Sequence, residues 1–232
     1  MLKLIRLEWR KHRFARNLTG AGIAMLSILL FLIMIGVTDL GAEDYAFASY
    51  EDSFILIDTF ARAVFIIFAG ALISKLIISE YRDKTMNVMF TYPIKRHKII
   101  AAKLMLVLLF TFAMIMLTDV VMGVILLASN HFYDFITEPL STAELWQIVV
   151  KYTISAFSAS AMALIPLFFG MRKHSVTATM VASILLVFVV CSGFNGPTFS
   201  VNSIIVIPLT LGAIGLWIAA LSMIRLETKD MS

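Results

Sequence analysis

Charge is what this chain lacks most: Asp, Glu, Lys and Arg make up only 15% of its 232 residues, against ~25% in an ordinary soluble domain. Hydrophobic residues reach 60% and mean hydropathy is +0.94, so the chain reads as a membrane protein. A single cysteine, Cys191, excludes an intrachain disulfide and a cysteine-rich metal site; its reading is packing in an apolar helix. The four histidines, His12, His97, His131 and His174, are scattered, and no H-E-x-x-H stands anywhere. There is no G-x-S-x-G nucleophile elbow and no G-x-x-x-x-G-K-[ST] phosphate loop. An intramembrane aspartyl site needs two carboxylates that share a proton, and Asp119 reads as the only acid deep in a span. The sequence therefore predicts no catalytic residue, no metal ligand and no cofactor in this chain, and no nucleic-acid partner. If ATP is used, another polypeptide must supply its site.

What is present is a set of long apolar runs. About 18 mainly apolar residues cross a bilayer core of ~30 Å as a helix. Six such runs stand at about Leu18–Thr38, Asp58–Ser79, Ile99–Ala128, Trp146–Gly170, Val176–Phe194 and Ser203–Ile224. The third is long enough to tilt or to extend past the membrane. The pieces between them are too short to bury a core of their own, so residues 1–232 form one transmembrane domain, with no internal repeat and no low-complexity segment.

The connections alternate in charge. Residues 1–17 carry Lys3, Arg6, Arg10, Lys11, Arg13 and Arg16 against Glu8. Asp39, Glu43, Asp44, Glu51 and Asp52 follow without a base. Then come Arg82, Lys84, Lys95, Arg96 and Lys98, then Asp134, Glu138 and Glu144, then Arg172 and Lys173, and finally Arg225 and Lys229. Because Lys and Arg stay in the cytoplasm during insertion, the pattern predicts six spans of a cell-membrane protein with both termini inside. The basic N-terminus precedes an apolar run with no small-residue cleavage site, so 18–38 reads as a retained span rather than a signal peptide. Before it, Leu2, Ile5 and Trp9 share one helical face and Lys3, Arg6, Arg10 and Arg13 another. That suits an amphipathic helix lying in the membrane interface, although a plain basic anchor fits as well.

Charged residues inside spans need partners or an exit to water. Arg62, Lys75, Lys103 and Lys151 lie within about a turn of a span end and read as snorkelling anchors. Asp119 is too short to snorkel far, so it must be paired or neutralised. Arg62 and Lys151, in the outer halves of their spans, are the candidate partners, in a pair that holds helices together rather than moving substrate. Pro166 removes a backbone hydrogen bond and predicts a fixed kink in the fourth span. Gly193, Gly196 and Pro197 break helix in the last outer connection, where a short re-entrant turn would fit.

One basic-side connection is not a plain solvated loop. Between Ser79 and Lys103, Met86, Met89, Phe90 and Pro93 fall at i, i+3, i+4 and i+7, an apolar stripe on a segment that must meet water. Asp83 or Thr85 is suited to cap a short helix there, and Pro93 restricts Tyr92 and ends it. Met and Phe side chains on such a helix fill an irregular groove on a partner protein; lying back on the membrane is the plainer alternative.

In the same stretch Glu80, Thr85, Pro93, Arg96 and Lys103 spell E-x4-T-x7-P-x2-R-x6-K. This resembles the ABC-2 type permease family, membrane subunits of ATP-binding-cassette exporters, whose connection between spans two and three reads E-x3-G-T-x7-P-x2-R-x6-K. Lys84 stands where the family usually has glycine, which puts the tight turn there in doubt. The motif covers about 25 residues; beyond it the resemblance rests on span layout and the basic N-terminal helix. It implies an all-α integral membrane fold of six transmembrane helices. It also implies a short cytoplasmic coupling helix in residues 80–98, with Glu80, Thr85, Met86, Met89, Phe90, Pro93 and Arg96 at the interface to a cytosolic ABC ATPase. ATP and Mg would be held by that subunit, and a second permease copy or a related permease would pair with this one among the membrane lipids. Small six-span members of that family without an extracellular domain resemble its antimicrobial-peptide or antibiotic resistance group, so the resemblance implies export of that kind. Two other classes fit parts of the sequence: an ATP-independent carrier or channel, and a non-transporting scaffold or sensor that recruits a cytosolic partner.

Overall fold

The computed structural model describes residues 14–38, 49–82, 96–133, 142–173, 175–191 and 206–228, and among these it is helical throughout apart from short bends and turns. In chain order the helices are α1 (Phe14–Thr38), α2 (Tyr50–Ile73), a π-helical turn (Ser74–Ile78), α3 (Ser79–Arg82), α4 (Arg96–Tyr133), α5 (Thr142–Met162), α6 (Pro166–Lys173), α7 (Val176–Cys191) and α8 (Val206–Thr228). Among the described residues four helical stretches are long and apolar enough to cross a membrane: Asn17–Thr38, Tyr50–Arg82, Ile99–Phe132 and Leu145–Arg172. Val176–Cys191 and Leu209–Leu221 are shorter apolar helices. The N-terminal interfacial helix expected over 1–17 lies almost wholly outside the described residues, as does the Gly193–Pro197 turn.

α2 is the spine of the bundle. Phe54, Ile57, Ala61, Phe65, Ala69 and Leu72 recur every three or four residues and are buried, the spacing that places side chains on one helical face. The helix begins at Tyr50, well before the expected Asp58. The cause is local: Ser49, in extended conformation, accepts a hydrogen bond from the Asp52 amide, with Glu51 and Asp52 in the first turn. Both are stabilising at a helix N-terminus, so an acidic stretch that reads as loop is a helix start. α2 packs most extensively on α4 and then on α7. Phe68 stacks on Phe110 of α4 at 6.0 Å between ring centres, and Phe54 meets Tyr152 of α5 at 6.1 Å. At its first turn Asn130 of α4 donates to the Tyr50 hydroxyl at 2.7 Å.

The outer surface of such a bundle faces lipid, so burial of apolar area does little to hold helices together and close packing of small residues does more. Gly212 and Gly215 of α8 lie against Ala161 of α5 in this way; a Cβ on Gly215 would fall 2.2 Å from the Ala161 carbonyl oxygen. At Pro166, where the sequence predicts a fixed kink, the helix is interrupted altogether. α5 stops at Met162, a turn spans 163–165, and three-residue hydrogen bonds run from Leu164 to Ala161 and from Ile165 to Met162 at 3.2 and 2.9 Å. Proline then opens α6 at the first helical position, where its missing N–H leaves no bond unmade.

α1 is the least embedded of the long helices. It touches the bundle through Ala21, Ile28 and Leu32, while Ile23, Leu26, Leu30, Ile33 and Val37 stay exposed.

Candidate functional site: two polar centres along α2

Two groups of polar side chains are buried along the continuous helical stretch formed by α2, the π turn and α3, roughly 30 Å apart along its axis. The first lies at the basic-loop end. The Glu80 carboxylate and the Lys103 ammonium form an ion pair, and the Lys103 side chain is only 1% exposed. Lys103 also donates to the Leu76 carbonyl at 2.9 Å. Leu76 sits within the π turn, where the wider hydrogen-bond spacing disturbs the regular i→i+4 ladder; the lysine supplies a donor from another helix. One turn back, Lys75 donates to Asn17 of α1 at 2.9 Å, and Ser79 donates to the Lys75 carbonyl at 2.7 Å. Three helices, α1, α2 with its π turn, and α4, are therefore tied together where the basic connection leaves and re-enters the bundle.

Lys103 is thus no snorkelling anchor. Its depth is set by the neighbouring helix, and a buried ammonium is tolerable because a carboxylate and a carbonyl share it. Lys75 is exposed and Lys151 partly exposed, each with a partner. Of the interface residues expected from the motif, the structure places Glu80 in this buried pair and Arg96 at the start of α4. Thr85, Met86, Met89, Phe90 and Pro93 lie outside the described residues. Glu80 and Lys103 are the first and last letters of the motif, separated by 23 positions and joined in space.

The second centre is near the other end of α2. Arg62 pairs with Asp58 one turn earlier at 2.9 Å, both side chains almost fully buried. Arg62 Nε also donates to the Asp58 carbonyl at 3.3 Å. Ser155 of α5 donates to the two Asp58 oxygens, at 3.2 and 3.1 Å. Cys191 reaches the Thr59 carbonyl with its sulfur at 3.8 Å, so α7 closes over the same turn. Lys151 instead bridges to Glu51 at 3.2 Å and stays partly exposed.

The pair expected for Asp119 takes a different form. Arg62 is held by Asp58 and Lys151 by Glu51, while both Asp119 oxygens are buried and accept no hydrogen bond among the described residues. Asp119 nevertheless feels the charges of Asp58 and Arg62 across the α2–α4 contact. Two corrections follow: Arg62 is an interior residue rather than a snorkelling anchor, and Asp119 is not the only deep acid. Asp58 escaped notice because it was placed at the edge of its span; the i, i+4 spacing of Asp58 and Arg62 was the signal that could have found it. Among the described residues no group of acids, histidines or cysteine is arranged to hold a metal ion.

The geometry yields an expected contrast. Asp58→Leu leaves Arg62 buried without its carboxylate and should cost about 3 kcal/mol, whereas Asp119→Leu removes a carboxylate that has no hydrogen-bond partner and should leave stability unchanged or raise it. Thermal melting of the two variants in the same detergent checks this. Equal losses would mean that Asp119 is the acid that holds the arginine.

A helical bundle with four stretches long and apolar enough to cross a membrane, small residues packed between its helices and buried ion pairs in its interior is a multi-pass membrane protein. Comparison with known proteins makes this specific. The family described as "ABC-2 family transporter protein" matches residues 4–191, and the chain belongs to that family. A relative from Bacillus subtilis (strain 168), described as "Uncharacterized protein YcbO", is 39% identical over 229 residues, covering 99% of this chain and 100% of the relative. No solved structure matches the chain.

Proposed function

We propose that this chain is the membrane-spanning permease subunit of an ABC exporter, driven by ATP hydrolysis in a separate cytosolic ATPase subunit. Two permeases, identical or related, would pair with two ATPases. Six spans cross the cell membrane with both termini inside, Val176–Cys191 and Leu209–Leu221 marking the fifth and sixth. The chain performs no covalent chemistry of its own. Antimicrobial peptides or antibiotics are the substrates this reading favours.

The observation that carries the reading is the Glu80–Lys103 pair. The two ends of the basic connection are clamped together by a buried ion pair that also holds a carbonyl of the π turn. A push on residues 83–95 is therefore delivered to α2 and α4 together rather than lost in a slack loop. Closure of ATP-bound ATPases against Met86, Met89 and Phe90 would tilt these two helices, and hydrolysis would reset them, a rigid-body mode of switching.

Co-purification from native membranes tests this, with ATP turnover assayed on whatever accompanies the chain. The native chain is expected to bring down a phosphate-loop ATPase, and Met89→Asp/Phe90→Asp to lose it while still reaching the membrane, since a charge in an apolar interface is costly to desolvate. A native chain that comes down alone, without ATP turnover, overturns the proposal.

A further inference from the structure

Beside the break at Pro166 the bundle surface is concave. A groove of about 670 Å³ runs along α7 and is closed at its sides by α6 and by Leu211 of α8. It is lined by Ile165 and Phe169 beside the break and by Ala178, Ala182, Leu185 and Val189, which follow one another along a single face of α7. The two alanines make the hollow, because the residues around them are larger and several stand out from the bundle: Phe169, Leu185 and Val189 are at least half exposed. From Ser175 to Val189 the groove extends about 21 Å at helical rise, longer than one leaflet of a bilayer core of ~30 Å.

One end of the groove is chemically different. Ser175 lines it there; its hydroxyl accepts from the Ala178 amide at 3.4 Å and has no acceptor of its own among the described residues. Arg172, three residues before Ser175 and so within about 11 Å along the backbone, is exposed and makes no ion pair among the described residues. The sequence continues with Lys173 and His174, and no Asp or Glu stands anywhere between Glu144 and Glu227. The groove thus has an apolar length that matches a hydrocarbon chain and, at Arg172, a basic end that makes no ion pair among the described residues.

We propose that this groove is a binding site for a membrane phospholipid with an anionic headgroup, one acyl chain lying over Ala178 and Ala182 and the phosphate at Arg172 and Ser175. A basic pocket between membrane helices, on the side of the basic loops, selects anionic headgroups by charge while its apolar walls accept any chain. The site belongs to the leaflet on the Glu80–Lys103 side of the bundle, since the π turn packs against α6.

Photo-reactive phosphatidylglycerol and phosphatidylcholine with the same acyl-chain label, each reconstituted with the full chain in vesicles, test the proposal. Phosphatidylglycerol is expected to label the 165–189 segment about fivefold more than phosphatidylcholine, the ratio that ~1 kcal/mol from one arginine gives. Arg172→Gln should bring the two lipids level, and Ala182→Phe should lower labelling by both. Thermal melting confirms that each variant is folded, and Ala178→Leu serves as a smaller filler should Ala182→Phe not fold. Equal labelling of the native chain by the two lipids overturns the proposal. So does a preference that survives Arg172→Gln, or labelling indifferent to the filling variants. Chains carrying Leu185→Cys and Cys191→Ser that cross-link to one another through the new thiol would assign the groove to a second copy and overturn it as well.

Discussion

Lys103→Met is expected to unfold the bundle at far lower temperature than the native chain, with a loss of about 3–5 kcal/mol, because it takes the ammonium away from the buried Glu80 carboxylate. The lysine is almost wholly buried, so solvent cannot take over its role, and the Leu76 carbonyl loses the lysine as a donor as well. Adding Glu80→Leu should recover most of the stability, since replacing a buried ion pair by apolar groups of similar size is close to neutral. The double variant then separates structure from function. On the proposed mechanism it should fold and still bind the ATPase, yet lose export, because the clamp between the loop's two ends is gone. Melting temperature, co-purification and transport on the same three proteins read these effects independently. A double variant that exports normally would show that the pair serves folding alone.

Gly215→Leu is expected to abolish the native bundle. The first added carbon would lie 2.2 Å from the Ala161 carbonyl oxygen and 2.9 Å from its carbon, and both atoms belong to backbone that cannot move aside without unwinding α5. Even Gly215→Ala should cost about 1–3 kcal/mol, the range for overpacking a well-filled contact. Gly212→Ala should be milder, with its nearest backbone atom at 3.2 Å. Gly22 is the control: nothing lies within 4 Å of its added Cβ, so Gly22→Ala should stabilise α1 by about 0.5–1 kcal/mol through reduced backbone freedom alone. The order of melting temperatures across these four variants checks the packing directly. If Gly215→Ala behaves like Gly22→Ala, α8 does not approach α5 as described.

The sequence made the helical membrane class, the position of the Pro166 break and the two ends of the basic connection legible, each for a local reason. Long apolar runs need no tertiary context to be read, and proline breaks hydrogen bonds wherever it stands. The family emerged from the spacing of Glu80, Thr85, Pro93, Arg96 and Lys103. What could not be read was depth. Lys103 and Arg62 lie near the ends of apolar runs, and along one chain that position is compatible equally with snorkelling and with burial; only the neighbouring helices decide. Asp58 was hidden for a related reason, because Ser49, Glu51 and Asp52 look like an acidic loop and in fact cap a helix. Ser155 and Thr59 gave no signal at all, since a hydroxyl in a membrane helix most often bonds its own i−4 carbonyl, as Thr111 and Thr118 do here.

The π turn at Ser74–Ile78 also has a consequence for how the chain tolerates change in length. In a plain α-helix, losing one residue swings every later side chain by about 100° around the axis and draws it in by ~1.5 Å. A π turn is equivalent to one residue inserted into such a helix. Deleting a residue between Ser74 and Ile78 would let the turn close into α-helical spacing and leave Glu80 facing Lys103. The same deletion higher in α2, among Phe54, Ala61 and Phe65, would rotate the core stripe away from α4. The spine of the bundle therefore carries a place where its length is adjustable without loss of phase, and that place lies within two turns of the residue whose direction matters most.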